Sequence, residues 1–183
     1  MNRREFVQSL SGGSLAILFG KEAVATSLRF NTIYSIRCLG DVQGPRYLDG
    51  RTGNGTVGLV EALVKPFSGT KWMLRNLGNG MVGFECRGDV NGPRWLDGRT
   101  AEGTVGLAPN INPPFSGTRW QIIEIPGGVN LKCMGAIEGP RWLDGRTGNG
   151  TVGLAKTTNP PFTGTKWEIK QYPVCFDEPC PLP

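Results

Sequence analysis

The sequence predicts an all-β fold, specifically a β-trefoil of three repeats with four short strands each. Two observations carry this prediction. First, Cys38, Cys86 and Cys133 lie 48 and 47 residues apart, and a fixed period of this size indicates one supersecondary unit used three times. Second, apolar residues alternate with polar or small residues in the stretch before each of these cysteines, which is the pattern of a half-buried strand.

The first 25 residues differ from the repeats and look like an export signal. Arg3-Arg4 is followed by an aromatic residue, a weakly apolar stretch over residues 10–19, and a small-x-small cleavage site at Ala23-Val24-Ala25. This order is typical of twin-arginine signal peptides, and the stretch is too short for a membrane span. We therefore expect cleavage near Ala25 and a periplasmic or secreted protein. The alternative is a disordered or packed N-terminal segment.

Each repeat begins with the alternating strand and continues through three more. Asn54-Gly55 lies between the second and third strands of the first repeat and favours a tight hairpin, because both residues tolerate positive φ. The second repeat has Ala101-Glu102-Gly103 at this place, so we expect its turn to differ in detail. In the first repeat we predict strands near residues 33–39, 45–52, 56–60 and 71–77.

We predict that the twelve strands form a closed sheet. Twelve short strands expose many unpaired edges unless the sheet closes on itself, and a trefoil does this as a six-stranded barrel capped by three hairpins. A three-bladed propeller is the alternative, although propellers usually have four to eight blades. The predicted segments are a signal at 1–25, a trefoil domain at 30–172 with repeats at about 30–79, 80–126 and 127–172, and a tail at 173–183.

The composition argues against several classes of function. The chain has no histidine, which removes Ser–His and Cys–His nucleophile pairs and every His-containing metal site. The formal net charge is +5 and the basic residues form no run, whereas nucleic-acid binding requires a clustered basic patch. We therefore predict a monomeric, non-catalytic protein with no cofactor, no metal, no nucleic-acid partner and no membrane span.

The five cysteines fall into two groups. Cys38, Cys86 and Cys133 share the apolar phase of the first strand, so we interpret them as small buried core residues. A metal site of three thiolates on the pseudo-threefold axis is the alternative. Cys175 and Cys180 lie beyond the repeats and could close a small loop in an oxidising compartment.

The second strand of each repeat carries the candidate ligand site. Leu48 alternates with its neighbours, so a buried Leu places Tyr47, Asp49 and Arg51 together on the outer face. An aromatic ring packs on the apolar face of a sugar, while Asp accepts and Arg donates hydrogen bonds to its hydroxyls. The alternative is structural, with the ring covered by a loop and the acid paired to the arginine. The row recurs as Trp95, Asp97 and Arg99 and as Trp142, Asp144 and Arg146.

The loop after the first strand adds an acid in two repeats only. It supplies Asp41 and Asp89, whereas the third repeat has Ala136. We expect this acid to act with the row of its own repeat. Loss of Trp95, which has Asp89 in its repeat, is therefore expected to weaken glycan binding more than loss of Trp142.

These residues resemble the ricin B-type β-trefoil lectins, whose repeats contain Leu-Asp, then Gly-Thr-x-Val-x-Leu, and close with Gln-x-Trp. The first repeat matches at Leu48-Asp49, Gly55-Thr56-Val57 and Thr70-Lys71-Trp72, and the resemblance covers residues 30–172. It implies a trefoil fold and a buried tryptophan at Trp72, Trp120 and Trp167. It also implies that sugar hydroxyls are bound by Asp49, Asp97 and Asp144.

The chain departs from the lectins at their other sugar-binding positions. The Gln that follows Val in the lectins is Gly58, Gly106 and Gly153 here. The Gln of their closing motif is Thr70, Thr118 or Thr165. A bound sugar is therefore expected to stack on the aromatic residue of the row, which is Tyr47, Trp95 or Trp142.

We predict an exported lectin-like module whose three weak sites act together on a glycan or polysaccharide. The main alternative is a protein-binding module, such as an inhibitor, that uses residues 61–66. This stretch departs from the Asn-Pro-Pro of the other repeats. A structural cell-envelope domain is a third possibility.

Overall fold

The computed structural model describes residues 28–173. Its regular structure consists of twelve β-strands and three single turns of 3₁₀-helix, with no α-helix in this range. The all-β prediction is confirmed. The predicted export signal at 1–25 and the pair Cys175 and Cys180 lie outside the described residues, and the domain boundaries stay a prediction.

The strands recur at the repeat period. The four strands of the first repeat agree with the predicted ranges to within two residues at each end. The strands are β1 Ile33–Cys38, β2 Tyr47–Arg51, β3 Thr56–Val60, β4 Trp72–Gly78, β5 Met81–Cys86, β6 Trp95–Arg99, β7 Thr104–Ala108, β8 Trp120–Ile125, β9 Gly128–Cys133, β10 Trp142–Arg146, β11 Thr151–Ala155 and β12 Trp167–Gln171. The 3₁₀ turns are Ser68–Thr70, Ser116–Thr118 and Thr163–Thr165.

Six of the strands form a closed antiparallel ring. The first and last strands of each repeat pair in the order β1, β4, β5, β8, β9 and β12, and β12 returns to β1. The ring joins the N-terminal strand to the C-terminal one over five residue pairs, from Tyr34 with Gln171 to Cys38 with Trp167. Closure leaves no free edge in this ring.

The other six strands form three hairpins that meet one another. β2 pairs with β3, β6 with β7, and β10 with β11. Single pairings then join β3, β7 and β11 in a triangle. Each contact includes a backbone hydrogen bond from a buried leucine to the turn of another hairpin, such as Leu59 N to Gly150 O at 2.8 Å. The hairpins are therefore held by contacts with one another as well as by the ring.

The hairpin turns are nearly the same in all three repeats. Gly55 has φ +72° and Gly103 has φ +70°, and both accept the turn because glycine lacks a Cβ. Asn54 does not adopt positive φ; its side chain instead accepts hydrogen bonds from the backbone and hydroxyl of Thr56. In the second repeat Glu102 accepts from the hydroxyl of Thr104. The expected difference is thus confined to the side chain.

The core contains the residues that the repeat predicted. The three leucines of the second strands and the three repeat tryptophans are fully buried. Each indole N–H donates to the carbonyl of the leucine in its own repeat at 2.9 Å. These predictions are confirmed for Leu48, Leu96, Leu143, Trp72, Trp120 and Trp167.

The three repeat cysteines are also buried, as predicted. Cys86 packs so closely that a Cβ on Gly50 of the preceding repeat would lie 2.8 Å from its sulfur and 2.9 Å from the Trp72 ring. The thiol donates to the carbonyls of Gly50 and Gly69 at 3.4 Å. Burial raises the pKa of the Cys86 and Cys133 thiols to about 11, so they stay protonated and tie successive repeats together.

Two features are absent from the described residues. Between residues 28 and 173 there is no group of three or more Cys, Asp or Glu side chains that could hold a metal ion. The same stretch has no helix long and apolar enough to cross a membrane.

Candidate functional site

The acid of each candidate row is buried. Asp49 is 6% exposed, Asp97 7% and Asp144 6%, so the acid on the outer face of the strand is covered and the prediction that it stands exposed was wrong. The cause is the loop that carries the 3₁₀ turn of the same repeat. This loop lies so close that a Cβ on Gly69 would be 2.7 Å from the Asp49 carboxylate.

The aromatic residue of each row lies against the ring of strands. The Trp95 side chain packs on β5, since a Cβ on Gly83 would lie 2.9 Å from its ring. Trp142 has the ammonium group of Lys132, on β9, 5.5 Å from its ring centroid. All three aromatic residues are half-buried. In the first repeat a cavity lies beside Asp49, and Tyr47 does not line it. The aromatic ring and the acid of this row therefore do not share a cavity.

A cavity of about 260 Å³ opens beside Asp49. Strand β2 supplies Asp49 and Arg51 to its wall, and the hairpin turn supplies Asn54. Phe67 enters from the loop with the 3₁₀ turn, and Val90 closes the other side. The aromatic ring beside the acid is therefore Phe67, which the sequence analysis considered only as part of a covering loop.

Each site combines residues from two successive repeats. Val90 belongs to the second repeat, yet its carbonyl accepts a hydrogen bond from Thr52 of the first repeat at 2.6 Å. The neighbouring Asp89 N–H donates to Ser68 at 3.0 Å. The same contacts join Thr100 to Ile137 and Ser116 to Ala136, and the last repeat returns to the first where Thr147 donates to Val42.

This pairing corrects the expected place of the loop acid. Asp89 borders the site of Asp49, not the site of its own repeat. By the matching contact, Ala136 borders the site of Asp97, and Asp41 lies beside Thr163 near Asp144. The second site is therefore the one without a loop acid, and it also has Glu102 where the others have Asn54 and Asn149.

A second arginine holds the loop in place. Arg94 donates to the carbonyls of Cys86 at 3.1 Å, Gly88 at 2.8 Å and Val90 at 3.1 Å. Arg46 and Arg141 make the matching three bonds in the other repeats. These residues were not predicted from the sequence, although each is the arginine of the Gly-Pro-Arg that recurs in every repeat.

The acid and the arginine of each row form an ion pair. The distance from the arginine Nε to the carboxylate is 3.7 Å for Arg51 with Asp49 and 3.8 Å in the other two repeats. Among residues 28–173 no buried side-chain nitrogen or oxygen lacks a hydrogen-bond partner. The arginine side chain is 52% exposed, so a ligand can reach its guanidinium group.

Gly58 on β3 has a packing reason to be glycine. The Arg51 guanidinium folds back over Gly58, and a Cβ there would lie 2.8 Å from its terminal nitrogen. Gly106 and Gly153 have the same relation to Arg99 and Arg146. A larger residue would displace the arginine from its acid.

Burial sets the protonation behaviour of the acids. Desolvation raises the pKa of the Asp49, Asp97 and Asp144 carboxyls, and the adjacent arginine offsets this only in part. The negative charge of Glu102 raises the pKa of Asp97 further. A desolvated carboxylate is a strong acceptor for donors brought by a ligand.

The loop at residues 61–66, which was suggested as a protein-binding segment, differs in sequence from the loops of the other two repeats. Val64 in this loop is 49% exposed. The Leu63 carbonyl accepts a hydrogen bond from the Tyr172 hydroxyl at 2.8 Å, so the end of the third repeat holds the loop of the first. Glu61, Val64, Lys65 and Pro66 are the exposed residues of this loop.

Comparison with known proteins shows the fold and not a family. No family model and no curated protein matches the chain. The chain is similar in structure to a GlcNAcα1-4Gal-releasing endo-β-galactosidase from Clostridium perfringens, with a TM-score of 0.60 and 13% identity over 78% of this chain and 33% of that one. It is also similar to Cry35Ab1, with a TM-score of 0.61 and 15% identity over 85% of this chain and 39% of that one.

Proposed function

We propose that this protein is a non-catalytic β-trefoil module that binds carbohydrate at three composite sites. The trefoil assignment is supported by the closed ring of six strands and the triangle of three hairpins. The binding assignment is supported by one observation above all. Each site places a buried carboxylate in an ion pair with a half-exposed arginine, and in the first site this pair lines a cavity together with Asn54 and Phe67.

Such a carboxylate costs stability in a purely structural role. A carboxylate that loses water on burial is destabilised unless its surroundings compensate it fully. The ion pair at 3.7 Å compensates Asp49 only in part, since burial still raises the pKa of this carboxyl. Retaining a destabilising charge at three equivalent positions is expected where that charge serves a ligand.

The cavity suits the hydroxyls of a sugar. The carboxylate of Asp49 can accept from two vicinal hydroxyls, and the N–H groups of Arg51 can donate to a neighbouring oxygen. Phe67 provides an aromatic surface for the apolar face of the ring. The volume of about 260 Å³ lies below the range of about 300–1,000 Å³ typical of sites for larger ligands, so we infer one sugar residue per site.

The absence of catalysis is part of the proposal. Glycoside hydrolysis generally needs two carboxyl groups that flank one bond. In all three sites the buried acid lies in an ion pair with an arginine, which favours its ionised form over the protonated form that a general acid requires. The structural similarity to one third of an endo-β-galactosidase supports contact with glycans but not the reaction.

The test replaces all three acids with their isosteric amides, Asp49→Asn, Asp97→Asn and Asp144→Asn. Because their pKa is higher in the folded chain than the ordinary 3.8, the acids favour folding below that value, and this contribution is lost as pH rises through the folded pKa. At pH 7 the amides should therefore keep or raise Tm while glycan retention on an array falls to background. The control is Glu124→Gln, at an exposed acid.

Two results would contradict the proposal. One is a triple variant with unchanged glycan retention and a lower Tm, which would make the acids structural. The other is a wild-type protein that retains no glycan of any class.

We further propose export through the twin-arginine route, on the basis of Arg3-Arg4 and the cleavage site near Ala25. Replacing both arginines with lysine should leave uncleaved precursor in the cytoplasm, because the export receptor recognises the arginine pair. The measurement is the ratio of precursor to mature protein in fractionated cells, with Lys21→Arg as the control. Equal export of the double variant would contradict this route.

A further inference from the structure

Four asparagines of the chain are followed by glycine, and this sequence can modify itself. After an asparagine, the next backbone nitrogen can attack the side-chain amide carbon, and glycine permits the approach because it lacks a Cβ. The new C–N bond closes a succinimide ring and expels ammonia. Water then opens the ring to aspartate or isoaspartate, so the net reaction hydrolyses an amide to a carboxylate. The four pairs are Asn54-Gly55, Asn79-Gly80, Asn91-Gly92 and Asn149-Gly150.

The turn at Asn54 is held at each group that this reaction must move. The attacking nitrogen, that of Gly55, donates its hydrogen to the Arg51 carbonyl at 2.9 Å. The Asn54 side-chain oxygen accepts from the N–H of Thr56 at 3.1 Å and from its hydroxyl at 2.7 Å. The Gly55 carbonyl accepts from Leu107 of another hairpin at 2.8 Å. The turn therefore has to open before the reaction begins.

Two further pairs are held in related ways. The turn at Asn149 makes the same set of bonds as the turn at Asn54. At Asn91 the restraint is packing, because Gly92 lies against the Thr52 carbonyl with no room for a Cβ between them. Rotation of the backbone at Gly92 would bring it into collision with Thr52.

The turn at Asn79 is open. It joins β4 to β5 at the end of their hairpin, and Asn79 is exposed with φ +53°. A Cβ on either flanking glycine, Gly78 or Gly80, would meet nothing within 4 Å. The pairing of β4 with β5 shifts register between Asn76 and Gly78, so the ladder is already irregular where the turn begins. This turn can rearrange without disturbing a neighbouring segment.

We propose that Asn79 is a site of spontaneous modification, at which the side-chain amide is converted to a carboxylate, while the fold keeps the other three Asn-Gly pairs intact. This inference is independent of the proposed carbohydrate function.

The difference between the turns preserves the charge of the candidate site. Asn54 lines the cavity beside Asp49, so its conversion would add a negative charge to that wall. The second repeat shows what such a charge does, because Glu102 stands at the matching place and raises the pKa of Asp97. Asn79 does not line the cavity, so its conversion should leave the affinity of the first site unchanged.

The experiment follows the four pairs in the folded protein at mildly alkaline pH. Trypsin places each pair in a peptide of its own, at residues 52–71, 76–87, 88–94 and 147–156. Mass spectrometry measures the gain in mass of each peptide over time, and fragment ions separate Asn79 from Asn76. We expect Asn79 to react roughly tenfold faster than the other three, because they must wait for local opening. In the chain unfolded by urea, the four should react at similar rates.

The matched variants test the cause of the difference. Asn79→Gln should abolish the fast reaction, because glutamine would have to close a larger ring. Thr56→Ala removes one hydrogen bond to the Asn54 side chain and should speed its reaction about fivefold, which corresponds to about 1 kcal/mol for one hydrogen bond. Asn149 in the same molecule is the internal control and should not change.

Three results would overturn the inference. One is a folded protein in which Asn79 reacts no faster than the other three asparagines. Another is a folded protein in which Asn54, Asn91 or Asn149 reacts as fast as in urea. The third is an unchanged rate at Asn54 in Thr56→Ala, which would remove the hydrogen bonds of the turn as the cause of its protection.

Discussion

The two faces of the second strand repeat equally well, but their polar groups differ in whether a ligand can reach them. On the inner face the Leu48 carbonyl accepts from the Trp72 indole at 2.9 Å, and the Gly50 carbonyl accepts from the Cys86 thiol at 3.4 Å. On the outer face Asp49 forms an ion pair at 3.7 Å with Arg51, and both residues line a cavity. Repetition therefore does not separate a structural position from a binding position, whereas access to a cavity does.

The largest expected effect is the loss of stability when a glycine on each face of the second strand's hairpin is replaced with alanine. Gly50→Ala places a Cβ against the Cys86 sulfur and the Trp72 ring, two groups fixed in the core, and should cost roughly 1–3 kcal/mol of unfolding free energy. Gly58→Ala meets the end of the flexible Arg51 side chain at 2.8 Å and the Gly150 carbonyl less closely at 3.2 Å, so it should cost less than Gly50→Ala. Urea denaturation of both variants measures the difference. Equal losses would show that the outer face is as rigid as the core.

The second prediction contrasts two half-buried aromatic residues of the first repeat. Tyr47 is absent from the cavity wall and Phe67 is part of it. In a protein that keeps only the first site, through Asp97→Asn and Asp144→Asn, Phe67→Ala should weaken glycan binding several-fold. This corresponds to the roughly 1 kcal/mol of one aromatic contact.

Tyr47→Ala in the same background should lower Tm and leave the glycan affinity unchanged. By the same reasoning, Trp95→Ala and Trp142→Ala are expected to affect stability more than binding, because these rings pack on β5 and beside Lys132. Titration calorimetry with thermal melts separates the two effects. Loss of affinity in Tyr47→Ala at unchanged Tm would restore the stacking role that the sequence suggested.

The smallest expected effect is the change of glycan affinity and Tm with pH. Burial raises the pKa of Asp49, Asp97 and Asp144, so acidification should weaken glycan binding at a pH above the ordinary carboxyl range. The stability contribution of these acids runs in the opposite direction and grows as they are protonated. The inner face has no group that titrates there, since burial raises the pKa of the Cys86 thiol to about 11. Affinity and Tm measured from pH 7 to pH 4 test both directions, and a flat binding profile would exclude the acids as ligands.

The sequence by itself determined the strands and the core. The spacing of Cys38, Cys86 and Cys133 set the repeat, and alternation placed Leu48 and its equivalents inside. These features are local, or they repeat at a fixed spacing along the chain, so the pattern is readable without knowing which distant segments meet.

Only the tertiary structure decided the composition of the site. Alternation puts Asp49 on the outer side of β2, but it does not tell that the loop at Gly69 covers that side and buries the acid. It also does not tell that Asp89 and Val90 of the second repeat border Asp49 of the first. The reason is that the side on which a residue lies follows from its own strand, whereas the groups that surround it come from chain segments brought together by the closure of the sheet.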